Sequence, residues 1–236
     1  GTSDQHETVE RERDRKLAKT RSSLEATREF HRIGALKGQI LDADGVTVLL
    51  DIYDKLGVTK PGSVDFKLSA TDPKPGALRK LISDVIRSVE DALGDIPYTG
   101  IHAFCGSAFF DKLVDHPETR EAYQRWQDGQ ALRDRTARRD FFYAGVTFEE
   151  YRGRVAGQPF IADDAAHFFP VGADGIFETW NAPAETFLSL RTQGLPFYVN
   201  HEVDPREEPT WMRGHVESNP VSFCKLPEVL HEAAGN

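Results

Sequence analysis

Apolar residues are sparse and unevenly placed over the first forty positions. Residues 5–37 hold no proline, and no glycine before Gly34, and they are dense in Glu, Arg, Lys, Ala and Leu. Asp4 followed by Glu7 has capping-box spacing, and Glu7/Arg11 and Glu12/Lys16 are correctly oriented i,i+4 pairs, so the pattern predicts one helix ending at Gly38. At 1.5 Å per residue that helix is roughly 48 Å long. Val9 stands alone in its first half, whereas Leu17, Leu24, Phe30, Ile33 and Leu36 crowd the second. The second half has a core to pack on; the first is polar on nearly every side, so it either fades into solution or runs across another chain or segment.

After Gly38 the period changes to two. Residues 39–42, the Ala43-Asp44-Gly45 turn and alternating Val46, Val48, Leu50 and Ile52 predict a hairpin. Residues 64–68 alternate again beyond the Lys60-Pro61-Gly62 break. Between Pro75 and Gly94, Leu78, Leu81, Ile82, Val85, Ile86, Val89 and Leu93 mark the clearest amphipathic helix. A short strand over 101–105, a Gly106-Ser107 turn and a helix with Phe109, Phe110, Leu113 and Val114 facing inward follow. Residues 117–139 read as a charged helical stretch, and 141–146 with 146–151 as strands paired around Ala144-Gly145. The remainder, 155–236, is rich in Pro, Gly and Phe, with short strands ending at 221–224.

The chain has 236 residues, enough for one core or a core with an attached lobe, and its 39% apolar and 28% charged content is ordinary for a packed globular fold. The net charge of −9 is spread out, with seven acids against three bases in the last 36 residues. No basic stripe offers the phosphate neutralisation that gripping nucleic acid requires. Cys105 and Cys224 each stand alone in apolar settings and read as buried small hydrophobes of a reducing compartment. No apolar run approaches the ~20 residues of a membrane span.

Candidate chemistry is thin. Cys105-Gly106-Ser107-Ala108 falls where a nucleophile elbow would sit, but it lacks the outer glycines of G-x-S-x-G. An N-cap role suits Ser107 better. His201, Glu202 and Asp204 are the densest ligand-type cluster, short of the three or four converging ligands of a zinc site. Asp163-Asp164, Glu149-Glu150 and Glu207-Glu208 read as solvated surface. Phosphate-loop motifs are lacking, and the aromatics, among them Trp126, Phe141, Phe142, Phe168, Phe169, Trp180 and Trp211, are not interleaved with bases. No catalytic, cofactor-binding or metal-ligating residue is assigned, and no cofactor is expected.

The order of these elements resembles the lambda-like major capsid proteins of tailed phages, which share the Hong Kong 97-type fold. The similarity runs from about Glu7 to the end. It is carried by Leu36-Lys37-Gly38 closing the long helix and by the helix, strand and helix at 76–93, 101–105 and 107–115. Further words are Phe169-Pro170-Val171-Gly172, Gly175-Ile176-Phe177, Asn181-Ala182-Pro183-Ala184, Gly194-Leu195-Pro196 and Glu217-Ser218-Asn219-Pro220. The resemblance implies an α+β capsid fold: a peripheral domain over 1–70 with the long spine helix and hairpin, an axial domain over 71–205, and a C-terminal strand over 206–236 returning to the peripheral domain.

It also implies a non-enzymatic major capsid protein of a phage or prophage. Copies of it would form hexamers and pentamers of an icosahedral shell, with decoration or scaffold proteins as further partners. The shell would enclose DNA without sequence-specific binding and without a membrane, and would be assembled in the cytoplasm of a bacterial host. Family members carry an N-terminal arm and an extended loop ahead of the spine. Neither is in this sequence, which reads as a fragment, a proteolysed chain or one with upstream residues dropped. The Gly157-to-Asp164 excursion falls where axial-domain loops are expected. Two alternatives stand beside this reading: a small α+β hydrolase using Ser107 or Cys105, and a non-capsid virion adaptor.

Overall fold

A computed structural model describes residues 3–42, 44–133, 140–155, 157–187, 189, 191–207 and 210–236. The chain divides into two compact units. Unit 1 comprises Gly1–His31 and Thr179–Ser222, and unit 2 comprises Arg32–Glu178 and Phe223–Asn236.

The long helix, α1, spans Ser3–Lys37 and stops at Gly38, as the sequence predicts. Along it the Glu12 carboxylate meets Arg15 at 2.8 Å and Lys16 at 3.7 Å. The Ala43 position of the following turn lies outside the described residues. The hairpin that follows pairs β1 (Gln39–Leu41) antiparallel with β2 (Val48–Asp51). Here the expectation needs correction, because Ile52 opens a short helix, α2 (Ile52–Leu56), instead of extending the strand. The Asp51 side chain accepts hydrogen bonds from the amides of Tyr53 and Asp54, and this cap turns the chain into a helix.

In unit 2 the core is built on a six-stranded sheet. Its members are β3 (Val64–Asp65), β4 (Gly100–Cys105), β5 (Asp140–Tyr143), β6 (Val146–Glu150), β9 (Ala165–Val171) and β14 (His231–Ala234). Their order is β3-β14-β9-β4-β6-β5. β4 runs parallel to β6 and antiparallel to β9, and these central strands carry Ala103, Phe148, Ala166 and Phe168, all fully buried. β3 is shorter than the alternation over 64–68 suggests. Phe66 and Leu68 are buried as the alternation demands, but Lys67 takes a positive φ of 51°, which ends the ladder.

Helix α3 (Ala77–Leu93) lays Leu78, Ile82, Val85, Val89 and Leu93 into the core, the face predicted from periodicity. Each such side chain contributes about 1.5–3 kcal/mol on full burial. Helices α4 (Ser107–Asp115) and α5 (Arg120–Arg133) follow β4. The part of the charged stretch at 134–139 lies outside the described residues. β5 and β6 form the expected hairpin, with Ala144 and Gly145 both at positive φ. β7 (Arg154–Val155) and β8 (Gln158–Pro159) make a further small hairpin.

Ser107 is not an N-cap. The capping residue is Gly106, and Ser107 is the first helical residue. The reason is a close approach of backbones: a Cβ at Gly106 would overlap the carbonyl oxygen of Ala162. The same 162–163 segment supplies the cap, since the Phe109 amide donates to the Asp163 carbonyl at 2.9 Å.

The final strand is also not at 221–224. β13 (Pro220–Cys224) pairs with β10 (Phe177–Asn181), and β14 comes after it, inserted between β3 and β9. A four-residue strand after Pro227 carries too short a pattern to read. In unit 1, β11 (Tyr198–Val203) and β12 (Met212–Glu217) form a two-stranded antiparallel ribbon.

Candidate interaction surfaces

The residues singled out for chemistry are not brought together. Cys105 ends β4 with no exposed surface, and burial pushes its thiol well above the ordinary range. Cys224 is buried too, and desolvation pushes it up to about 12. A thiolate nucleophile needs the reverse. His201 and Glu202 are neighbours on β11, so they point to opposite faces, opposite Gly214 and Arg213 respectively. Asp204 turns into the hairpin loop instead. It accepts from Arg206 Nε at 2.8 Å and from the Thr210 amide at 2.9 Å, and the Arg206 guanidinium holds its carboxyl well below the usual range. Among the described residues no group of three or more His, Cys, Asp or Glu could hold a metal ion.

Unit 1 has an unusual distribution of apolar surface. Among its described residues only Phe30 and Ala184 are buried apolar side chains. Its centre is polar. Arg28 is buried, and its Nη1 donates to the carbonyl of Pro196 and to Ser218 Oγ, both at 2.9 Å, and to Asn181 Oδ1 at 3.2 Å. The ribbon alternates by face. Val199, Val203, Met212 and Val216 share one side, and Asn200, Glu202, Arg213, His215 and Glu217 share the other. Gly214 packs close to α1, where a Cβ would come within 2.6 Å of Leu17 Cδ2. That contact covers only part of the apolar side: Val199 remains 52% exposed and Val203 45%. Trp180, Phe187, Leu195 and Trp211 are exposed as well. Apolar side chains left exposed on one face of a ribbon mark a place where another protein packs.

Unit 2 carries a second feature, a cavity of about 220 Å³ lined by Lys37, Asp51, Tyr53, Lys60, His167 and Glu232. Lys37 Nζ donates to the Phe160 carbonyl at 3.3 Å and Lys60 Nζ to Glu232 at 3.1 Å. Burial lowers the pKa of Lys37 and lowers that of His167 to about 4. These charges balance one another and leave no reacting geometry. Within the 157–164 excursion Phe160 and Ile161 are buried. None of these surfaces was located from sequence, because alternation shows that a strand has two faces but not which one lies uncovered.

A chain with a filled sheet core, no convergent chemistry among its described residues and large apolar side chains left outside has the build of a structural protein that other protein covers. Comparison with known proteins agrees. The family model for phage major capsid protein E matches residues 1–234, and the chain belongs to that family. The major capsid protein of Pseudomonas phage KPP10 is 30% identical over 248 residues, covering 95% of this chain and 68% of that protein. The major capsid protein of Salmonella phage Felix O1 (isolate Felix O1-VT1) is 29% identical over 270 residues, covering 98% and 70%. Among solved structures, a prophage capsid protein of E. coli CFT073 superposes with a TM-score of 0.54 at 12% identity, covering 88% of this chain and 62% of that one, which shows a shared fold. The α+β capsid fold and the major capsid protein assignment are thereby established. Family membership makes the chain a structural protein rather than an enzyme, and the hydrolase and adaptor readings fall.

Proposed function

We propose that copies of this chain assemble into hexamers and pentamers of a closed shell that encloses packaged DNA. The observation that carries the reading is unit 1, whose ribbon leaves an apolar face half uncovered while among the unit's described residues only Phe30 and Ala184 are buried apolar side chains. Such a surface is costly in a free monomer and is relieved when another subunit covers it. The spread net charge of −9 suits a container that encloses DNA without holding it by sequence. Decoration or scaffold proteins are further partners, and assembly takes place in the host cytoplasm before the protein becomes part of the virion.

The peripheral domain over 1–70, the axial domain over 71–205 and the returning strand over 206–236 remain part of this proposal, and the contact units suggest a peripheral share for unit 1 and an axial share for unit 2. What supports this is that the polar half of α1 and the uncovered ribbon fall in one contact unit and the six-stranded sheet in the other. Sedimentation velocity tests the reading. The wild-type chain is expected to sediment as assemblies that grow with concentration. The double variant Val199→Asp/Val203→Asp, changed only at exposed positions, is expected to stay monomeric and folded. Equal sedimentation of the two would remove the ribbon as an assembly surface.

A further inference from the structure

The 220 Å³ cavity of unit 2 gathers side chains from elements far apart in sequence. Lys37 reaches it from the last turn of α1 and Lys60 from the loop after α2. His167 on β9 and Glu232 on β14 stand opposite each other in the ladder and complete the wall with Asp51 and Tyr53. Both carboxylates are already engaged. Asp51 Oδ1 caps α2 and Oδ2 accepts from Gln39 Nε2 at 3.2 Å, while Glu232 Oε2 accepts from Lys60 Nζ at 3.1 Å. The Tyr53 hydroxyl donates to the Pro227 carbonyl at 3.3 Å.

Two groups are left short of partners. Lys37 Nζ makes one hydrogen bond, a long one of 3.3 Å to the Phe160 carbonyl, and no ion pair among the described residues. His167 is only 6% exposed, and its ring makes no hydrogen bond to any described residue, so a buried imidazole lines the cavity with its nitrogens unpartnered. Polar groups taken out of water in this way are costly unless something pairs with them. Burial is the largest influence on both and holds the pKa of each down. At about 30 Å³ per water molecule, the cavity has room for several waters, or for a small ion with water beside it. Water satisfies hydrogen bonds but brings no charge to Lys37, whereas an anion does both.

We propose that this cavity binds one free oxyanion of the phosphate class, held by Lys37, Lys60 and His167. Its unprotonated oxygens accept from the spare protons of the two ammonium groups, and the hydroxyl of hydrogen phosphate donates to the neutral imidazole. Hydrogen phosphate thus meets both short groups while His167 stays uncharged. Sulfate has the same tetrahedral shape but carries no hydroxyl near neutral pH, and a carboxylate carries none either. Each of these binds only with a proton taken up on His167, against the burial that opposes it. Bound there, phosphate joins the end of α1, the loop after α2 and the sheet, and stabilises unit 2 by mass action. The site lies outside the ribbon of unit 1, so the proposal does not depend on the assembly reading.

Isothermal titration calorimetry of the full chain with phosphate and with sulfate, at matched ionic strength in chloride, tests this. At pH 7 phosphate is expected to bind at least about tenfold tighter than sulfate, and sulfate to gain at least about tenfold between pH 7 and pH 5, as uptake of one proton requires. Lys37, Lys60, Asp51, Tyr53 and Glu232 are the other titratable groups on the wall, and His167→Gln separates its proton from theirs: the gain of sulfate with falling pH should vanish in that variant. Lys37→Met, checked for folding by circular dichroism, is expected to lose phosphate binding. Retained binding in folded Lys37→Met, equal affinity for the two ions at pH 7, or no heat with phosphate beyond that of chloride would each overturn the site. A deoxynucleoside monophosphate carries the same group on a body too large for the cavity and should not bind; affinity equal to that of phosphate would overturn the free-ion reading in favour of an open site for nucleic-acid phosphate. The comparison of the two ions on the wild-type chain needs no variant, so it decides the proposal even where a substitution prevents folding.

Discussion

Arg28 lays its guanidinium over the ring of Phe197, 4.9 Å from its centroid, while its Nη1 gathers Asn181, Pro196 and Ser218. One helix residue thus ties α1 to β10, to the loop before β11 and to the turn after β12, in a unit that has little apolar core to do so. Arg28→Ala removes the charged donor that these part-buried acceptors share. A charged hydrogen-bonding group of this kind contributes about 1.5–3 kcal/mol. The substitution is expected to destabilise unit 1 by that order, seen as earlier proteolytic cleavage in 179–222. Arg28→Lys, a point charge without the planar fork, is expected to recover only part of it.

Gly214 of the ribbon packs closely against Leu17 of α1. Gly214→Val is expected to cost about 1–3 kcal/mol through overpacking, and Leu17→Ala in the same chain to relieve much of that cost. A double-mutant cycle by urea unfolding checks this. Additive effects, with no coupling between the two sites, would mean that the ribbon is free of the helix at this point.

The turn before α4 separates two roles for adjacent residues. Ser107→Ala is expected to change stability by less than about 0.5 kcal/mol, because its hydroxyl makes no capping bond. Gly106→Ala is expected to cost several times more, since its Cβ meets the backbone at Ala162. Thermal unfolding of the pair measures the contrast. In the same samples neither Cys105 nor Cys224 should react with a thiol reagent at neutral pH until the chain unfolds.

His167 gives the fold a definite pH dependence. It sits buried among Lys37, Lys60 and Glu232, and desolvation, partly offset by Glu232, lowers its pKa from 6.5 to about 4. A base with a lowered folded pKa takes up its proton in the unfolded chain first. Stability from this group is therefore full above pH 6.5, falls between 6.5 and 4, and levels off below. The loss is on the order of 3 kcal/mol at most. Urea midpoints from pH 7 to pH 4 are expected to fall more steeply for the wild type than for His167→Gln, and parallel curves would contradict the account.

Much of this architecture is legible in the residues. The i, i+3, i+4 apolar series in α3 and the absence of breakers before Gly34 are local signals, and the structure follows them. Short elements are not legible, because β14 has four residues and its place between β3 and β9 depends on partners far away in sequence. The cap of α4 is not legible locally for a similar reason: it comes from the Asp163 carbonyl, more than fifty positions after Ser107. Uncovered surfaces were the hardest to see. Val48 and Val199 look like any strand residue until the fold shows that nothing in their own unit fully covers them.

The central claim is that this chain is a shell subunit, and negative-stain electron microscopy of the subunit expressed at the full length of its gene in a bacterial host tests it most directly. Closed hollow particles or rings of six and five subunits are predicted, and they should disappear when Val199 and Val203 are both replaced by Asp. A uniformly monomeric product from the unaltered gene, folded and at high concentration, would contradict the account.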